Sequence, residues 1–228
     1  MTHTPKILNE VGRCQNTLMR GHGATIDKMK PAIGRTYQGE WSKVLEKERR
    51  ALEHFRKRSI PYITSKPKKS LDWLCLMQHY GCPTRLLDFT SNPLVALFFA
   101  SDPGQEEDGE IIIVDATSKV FKSPGKSDIF TVKDPFVYHP PHYCGRITGQ
   151  SGCFIVCPEP NEGLKIDPVK KVAVPKKLKE SIRRELATMG VTHSHLFPGL
   201  TGICEDLKDT LIHGLDDQAL FDQFPDLL

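Results

Sequence analysis

Two runs in this chain have no polar side to turn toward water: residues 94–100, Leu-Val-Ala-Leu-Phe-Phe-Ala, and residues 111–114, Ile-Ile-Ile-Val. The first follows Thr90-Ser91-Asn92-Pro93, a cap-type residue with proline at the first turn, which starts a helix. That helix is apolar nearly all round, so it must be covered on most sides. The second run, inside Gly109 to Asp115, reads as a strand buried on both faces and therefore central in its sheet. A chain with both elements needs a central sheet with helices packed around it.

The remaining segments fit that frame. Residues 40–58 carry Trp41, Val44, Leu45, Leu52 and Phe55 among many charges, an amphipathic helix with one apolar stripe, ended by Pro61. Ser70-Leu71-Asp72-Trp73 reads as an N-cap with a helix running to Tyr80, closed by Gly81 with Pro83 beyond. Leu86-Leu87 is a short buried strand, and residues 151–156 are another. Residues 176–189 form a helix between Pro175 and Gly190, and residues 197–211 hold a last turn and helix. Residues 102–108 are polar, and residues 121–143 contain four prolines, so both read as loop. No repeat or long linker divides the chain. The expectation is one α+β domain over residues 1–228, with a central mixed or antiparallel sheet flanked by helices.

Hydrophobic residues at 39% and charged residues at 26% support a packed core over disorder. No apolar run approaches the ~18 residues of a membrane helix, and residues 1–11 have no stretch of signal-peptide length. A cytoplasmic protein without a membrane partner is expected. The seven cysteines are odd in number and irregularly spaced, which argues against a disulfide framework. Cys153 and Cys157, with Cys144, His139 and His142 upstream, provide only one close pair, so no metal site is expected. Four residues apart in a strand, Cys153 and Cys157 share a face that can point into a core. A net charge of +3 implies no partner. Its distribution is uneven: Lys66, Lys68 and Lys69 cluster, as do Lys170, Lys171, Lys176, Lys177, Lys179, Arg183 and Arg184, while residues 216–226 are acidic. Such clusters hold phosphates or are simply solvated surface.

The densest polar stretch is Gln78-His79-Tyr80-Gly81-Cys82-Pro83-Thr84-Arg85-Leu86-Leu87-Asp88-Phe89-Thr90-Ser91-Asn92. It sets polar side chains between buried elements, where they need partners. Arg85 and Asp88 are candidates to pair with each other. His79 suits a general base at neutral pH, or a positioning role at a helix end. Cys82, beside Pro83 in a tight turn, reads as a buried thiol and not a nucleophile. Upstream, Met19-Arg20-Gly21 sets an arginine on a short extended run, with donors suited to a carboxylate or phosphate.

Together these residues resemble the FRG domain family, named for a Phe-Arg-Gly signature. Met19-Arg20-Gly21 stands for the signature, with Met19 in place of the usual aromatic. Residues 48–55 resemble the family's Glu and Phe helix, and residues 73–100 follow its strongest block, from Gln-His-Tyr-Gly to Ala-Leu-Phe-Phe-Ala. Residues 146–154 and 176–202 resemble its later blocks, so the likeness covers about residues 17–205. The order of Arg-Gly, then Thr-Ser leading into an apolar helix, then a late strand is distantly similar to the ADP-ribosyltransferase fold.

That resemblance implies NAD as cofactor and roles for particular residues. Arg20 would steady the NAD phosphates, Thr90 with Ser91 would shape the nicotinamide pocket, and Gln150 would stand where a late glutamate orients the ribose. Gln150 is an amide, so Asp88, Glu159 or Glu162 would have to supply the carboxylate that stabilises positive charge as the glycosidic bond breaks. The expected cleft gathers Arg20, Gly21, Gln78, His79, Thr84, Arg85, Asp88, Thr90, Ser91 and Gln150. Arg20, Thr90, Gln150 and Asp88 are the catalytic candidates. The function implied is binding of a nucleotide-like small molecule, with ADP-ribosyl transfer to a nucleic acid or protein acceptor in a toxin or antiviral defence role. A non-catalytic nucleotide- or partner-binding sensor is the alternative, and nucleotide hydrolysis in the same cleft is a third. No Walker loop or dinucleotide glycine fingerprint is present, which sets aside ordinary ATPase and dehydrogenase readings.

Overall fold

The computed structural model describes residues 2–12, 16–37, 39–117 and 128–213. Cys14 and the acidic stretch 216–226 lie outside the described residues, as does part of the proline-rich loop read over 121–143. In chain order the elements are α1 (Thr4–Val11), β1 (Thr17–His22), α2 (Ala32–Thr36), α3 (Trp41–Arg58), α4 (Ser70–His79), β2 (Leu86–Thr90), α5 (Pro93–Ala100) and β3 (Gly109–Asp115). They continue with β4 (Phe136–Tyr138), α6 (Gly145–Gly149), β5 (Gly152–Val156), β6 (Lys170–Val174), α7 (Lys179–Thr188), α8 (His193–Leu196) and α9 (Leu200–His213).

The strands form one six-stranded sheet in the order β4-β5-β2-β1-β3-β6. Every pairing is antiparallel, which decides between the mixed and antiparallel alternatives. As its composition requires, β3 is interior. Ile111 and Ile113 face a core built with α1, α5 and α7, while Ile112 and Val114 face the opposite core with Leu18, Leu87, Phe89 and Ile155. A third core packs α4 and Leu52 of α3 on Leu86, Phe154 and Val156.

The α5 helix sits where the apolar run demands, with Val95, Ala96, Leu97, Phe98 and Ala100 all buried. Its start is the expected one: the Asn92 side chain accepts the Leu94 N–H at 2.9 Å. The α4 cap differs by one residue from the sequence reading. Ser70 is already helical, and the Asp72 carboxylate accepts the Lys69 N–H at 2.9 Å. Asp72 also receives the Tyr143 hydroxyl at 3.0 Å and that of Tyr138, so its charge is committed to fixing this end of α4.

One interruption in the sheet positions the site. β1 pairs with β3 over six positions, from Thr17↔Asp115 to His22↔Glu110, and β2 pairs with β5 over five. Between β1 and β2 the register holds a single pair, Met19↔Thr90. The sheet is thus two three-stranded halves joined at one point. Beyond it the strands part, leaving backbone groups of β2 to be satisfied by side chains.

Much of the second basic cluster is engaged within the fold. Lys170 and Lys171 lie on β6, an edge strand, where exposed lysines discourage edge-to-edge pairing. Lys171 pairs with Glu110 at 3.3 Å, Lys176 with Glu106, and Arg183 with Asp209 at 3.3 Å. Lys179 is buried and donates to the carbonyls of Gly23 and Gln105 at 2.7 and 2.9 Å. Among the described residues, no helix is long and apolar enough to cross a membrane.

Candidate functional site

Where β1 and β2 part, the Arg20 side chain crosses the gap. Its Nη1 donates to the Asp88 backbone carbonyl at 2.6 Å and lies 3.7 Å from the Asp88 carboxylate. Arg20 thereby satisfies a β2 carbonyl that a continuous ladder would have used. Its Nε donates to His22 Nε2 at 3.1 Å, which requires His22 to be neutral. Burial, then Arg20, Arg35 and Lys171, hold the His22 pKa down at about 3, in agreement with that role. Burial also lowers the Arg20 pKa; Asp88 opposes this and Arg35 adds to it. Arg20 is thus a largely desolvated cation whose fixed counter-charge is one carboxylate, itself half exposed at 51%.

Asp88 is held by a chain of hydrogen bonds within the dense motif. The Leu86 N–H donates to Thr84 Oγ1 at 3.1 Å, and the Thr84 hydroxyl donates to Gln78 Oε1. With its oxygen so occupied, Gln78 turns its Nε2 to both Asp88 oxygens at 2.9 Å. Thr84 is buried and acts from behind Gln78, not on a ligand.

Two cavities flank the Gln78–Asp88 pair. The larger, of about 430 Å³, is lined by Arg20, Arg35, Thr36, Cys82 and the pair itself. The smaller, of about 60 Å³, is lined by Cys75, His79, Arg146, Gln150 and the same pair. Ligand sites run to roughly 300–1,000 Å³, so the larger cavity has the size of a small-molecule site and the smaller one holds a few atoms. Arg20 and Gln150 therefore line separate cavities that share the Gln78–Asp88 wall. The single cleft expected from sequence is two.

Several expected site residues are engaged elsewhere. Arg85 is 1% exposed and does not pair with Asp88; it meets Glu48 of α3 at 2.6 to 2.9 Å and donates to the Ile129 carbonyl at 3.1 Å. The α3–β2 packing therefore removes its guanidinium from both cavities. Thr90 donates to the Gln150 carbonyl at 2.7 Å and accepts the Asn92 N–H at 3.0 Å, so it joins β2 to the α6 end and to the α5 start. Ser91 is exposed. Gln150 donates to the Leu196 carbonyl at 3.0 Å, which ties it to α8. Gly21 serves packing: a Cβ there would lie 1.9 Å from the Ala96 carbonyl oxygen of α5.

His79 stands in the smaller cavity, edge-on to the Tyr80 ring at 4.9 Å, with its pKa lowered by burial and then by Arg146. Burial, then Glu48, raises the Cys82 pKa, which disfavours a thiolate nucleophile. Cys153 and Cys157 share one core, and burial pushes each up to about 12. Among the described residues no three His, Cys, Asp or Glu side chains are grouped to hold a metal ion.

Arg35 was not foreseen. It lies on α2, which is placed by the Ile33 N–H donating to the Thr84 carbonyl at 3.2 Å and by close packing of Gly34 on Pro160. A proline directly before a small helical turn, in Pro31-Ala32-Ile33-Gly34-Arg35, is the only local signal for it, and it does not point to a cleft.

The FRG domain family matches residues 15–109, and the chain carries an FRG domain. The matched segment includes every residue named on the larger cavity, whereas Arg146 and Gln150 of the smaller one fall outside it. The later blocks read as family-like, 146–154 and 176–202, also lie beyond the match. No curated protein and no solved structure matches the chain.

Proposed function

We propose that the larger cavity binds a phosphate-bearing nucleotide, that the nucleotide is NAD, and that the reaction is ADP-ribosyl transfer. The observation that carries this reading is Arg20: a desolvated guanidinium, fixed at the parting of β1 and β2, with Arg35 on the same cavity wall. A diphosphate restores the counter-charge that burial takes from such a cation, and guanidinium forks suit phosphate oxygens. The cavity volume and the exposed Asp88 carboxylate fit a ligand with a phosphate end and a sugar end.

NAD supplies ADP-ribose on a bond to nicotinamide that leaves with its electron pair when the acceptor's nucleophile takes its place and gives up a proton. Arg20 and Arg35 hold the phosphates. Asp88, aimed by Gln78, faces the ribose and stabilises the positive charge that builds there. Gln150 is replaced in that role by Asp88, since its amide carries no charge and its Nε2 is bound to Leu196. His79 lines the smaller cavity behind the Gln78–Asp88 wall, so the acceptor's proton passes to solvent and not to His79.

Nicotinamide release from NAD tests this. Wild type releases nicotinamide, and Asp88→Asn, which keeps the shape and loses the charge, releases it at least ~100-fold more slowly on the scale of one electrostatic catalytic group. Equal rates contradict the role of Asp88. One observation favours a second reading, a non-catalytic nucleotide sensor: both Asp88 oxygens are already occupied by Gln78. NAD binding without any nicotinamide release identifies that case.

A further inference from the structure

We propose that the connection between α3 and α4, residues 57–69, is a docking surface for single-stranded nucleic acid. Between Glu53 and Asp72 the sequence has no acidic residue and six strong cations: Arg56, Lys57, Arg58, Lys66, Lys68 and Lys69. Arg56 is structural. It pairs with Glu53 at 3.1 Å and donates to Ser70 Oγ at 2.7 Å, joining the end of α3 to the start of α4. The other five are exposed and have no ion-pair partner among the described residues. Elsewhere on the surface several lysines and arginines are matched by carboxylates, as in Lys43–Glu40, Arg50–Glu46, Lys165–Glu159 and Lys208–Glu205.

The connection is held in place, so its charges are displayed by a fixed backbone. Ser59 and Pro67 are buried and Ile63 packs on the α4 core. Between these anchors the 3₁₀ turn Ile60–Tyr62 presents Tyr62 at 85% exposure. An aromatic ring standing free among unmatched cations is the combination that binds single strands: the cations follow the phosphates and the ring stacks on a base. A duplex hides its base faces from such a ring. An anionic membrane fits less well, because the exposed apolar groups here are two residues in one short turn and not a helix face.

The location gives the surface a purpose. α4 has ten residues, and at ~1.5 Å rise per residue it spans about 15 Å from Lys69 to Gln78 and the Asp88 wall. A strand docked on the connection can therefore present a nucleotide to the cavities. That role rests on the transferase reading, whereas docking itself does not.

The test is fluorescence anisotropy of the full chain with a labelled oligothymidylate of about 16 nucleotides, at rising salt. Wild type binds, and log K falls against log salt with a slope of up to about −3.5 for five phosphate contacts. Lys66→Glu, Lys68→Glu and Lys69→Glu together reduce the slope by about 2 and weaken binding at low salt ~100-fold. Tyr62→Ala weakens binding ~10-fold and leaves the slope unchanged, as loss of one stacked base requires. Lys208→Glu, on α9, stays within about twofold of wild type on the same electrostatic grounds. The triple variant binds NAD as wild type does, so failure of docking and failure of the cleft reading are read separately. No oligonucleotide binding at low salt overturns the proposal. So does an unchanged triple variant, equal affinity for a duplex of the same length, or capture by phosphatidylserine vesicles in place of the oligonucleotide.

Discussion

Glu48 and Arg85 meet in the interior, where one carboxylate oxygen accepts the Arg85 backbone N–H at 2.9 Å and the other accepts its Nε–H at 2.7 Å. Both side chains are at most 1% exposed, and the guanidinium also lies over the Phe130 ring at 4.9 Å. Through this pair α3 fixes the start of β2, and with it the segment that carries Asp88. Removing one partner strands a buried charge, so Arg85→Ala or Glu48→Ala is expected to cost about 3–5 kcal/mol in urea unfolding. Replacing both with apolar residues of similar volume is expected to recover much of that loss. A single variant within about 1 kcal/mol of wild type contradicts the structural assignment of Arg85.

A different balance governs acid stability. His22 is neutral in the fold with a pKa down at about 3, while an unfolded histidine titrates near ~6.5. Between those values the unfolded chain binds a proton that the fold rejects. The contribution of His22 is therefore fully present above ~6.5 and is lost as pH falls toward its folded value. His22→Gln offers Arg20 an amide oxygen and removes the titration. Its unfolding free energy falls less steeply than that of wild type below pH ~6.5. Parallel curves for the two proteins contradict the neutral His22.

Gly21 belongs to packing and not to ligand recognition. With an added Cβ 1.9 Å from the Ala96 carbonyl oxygen and 2.8 Å from the Ala100 backbone nitrogen, neither α5 nor β1 can accommodate Gly21→Ala without moving. Overpacking of this kind costs ~1–3 kcal/mol and more where backbone must shift. Thermal unfolding is expected to drop by several degrees, and an unchanged midpoint overturns the close contact.

Gln150→Glu separates the resemblance from the geometry. A carboxylate at this position faces the Leu196 carbonyl that the Gln150 amide now satisfies. It sits on the smaller cavity, away from Arg20. The variant is expected to lose about 1–3 kcal/mol from an unsatisfied buried carbonyl and to gain no nicotinamide release. Faster release in this variant restores Gln150 as the catalytic position.

Local chemistry was readable residue by residue. Asn92-Pro93 announced α5, the Ile111–Val114 run announced a central strand, and Met19-Arg20-Gly21 with the Gln78–Asn92 block pointed to Arg20 and Asp88, which do meet. Long-range pairing was not readable. Arg85 has Asp88 three residues away in sequence, but a strand turns Arg85 and Asp88 to opposite faces, and its partner Glu48 comes from a helix 37 residues upstream. Lys170 and Lys171 read as part of a charge cluster because a five-residue strand ending in Val-Ala-Val has only two buried positions, Val172 and Val174, to mark it. The division of the site into two cavities follows from the Gln78–Asp88 pair that both share as a wall, a contact between α4 and β2 that neither element records alone.

The central claim is that Arg20 holds the phosphates of NAD, and calorimetric titration of NAD into wild type, Arg20→Ala and Arg20→Lys tests it most directly. A charge-assisted contact contributes about 1.5–3 kcal/mol, so Arg20→Ala is expected to bind roughly 10- to 100-fold more weakly. Arg20→Lys recovers only part of the loss, because an ammonium lacks the planar fork. If wild type fails to bind NAD at millimolar concentration, or binds it no better than Arg20→Ala, the account of this cavity is contradicted.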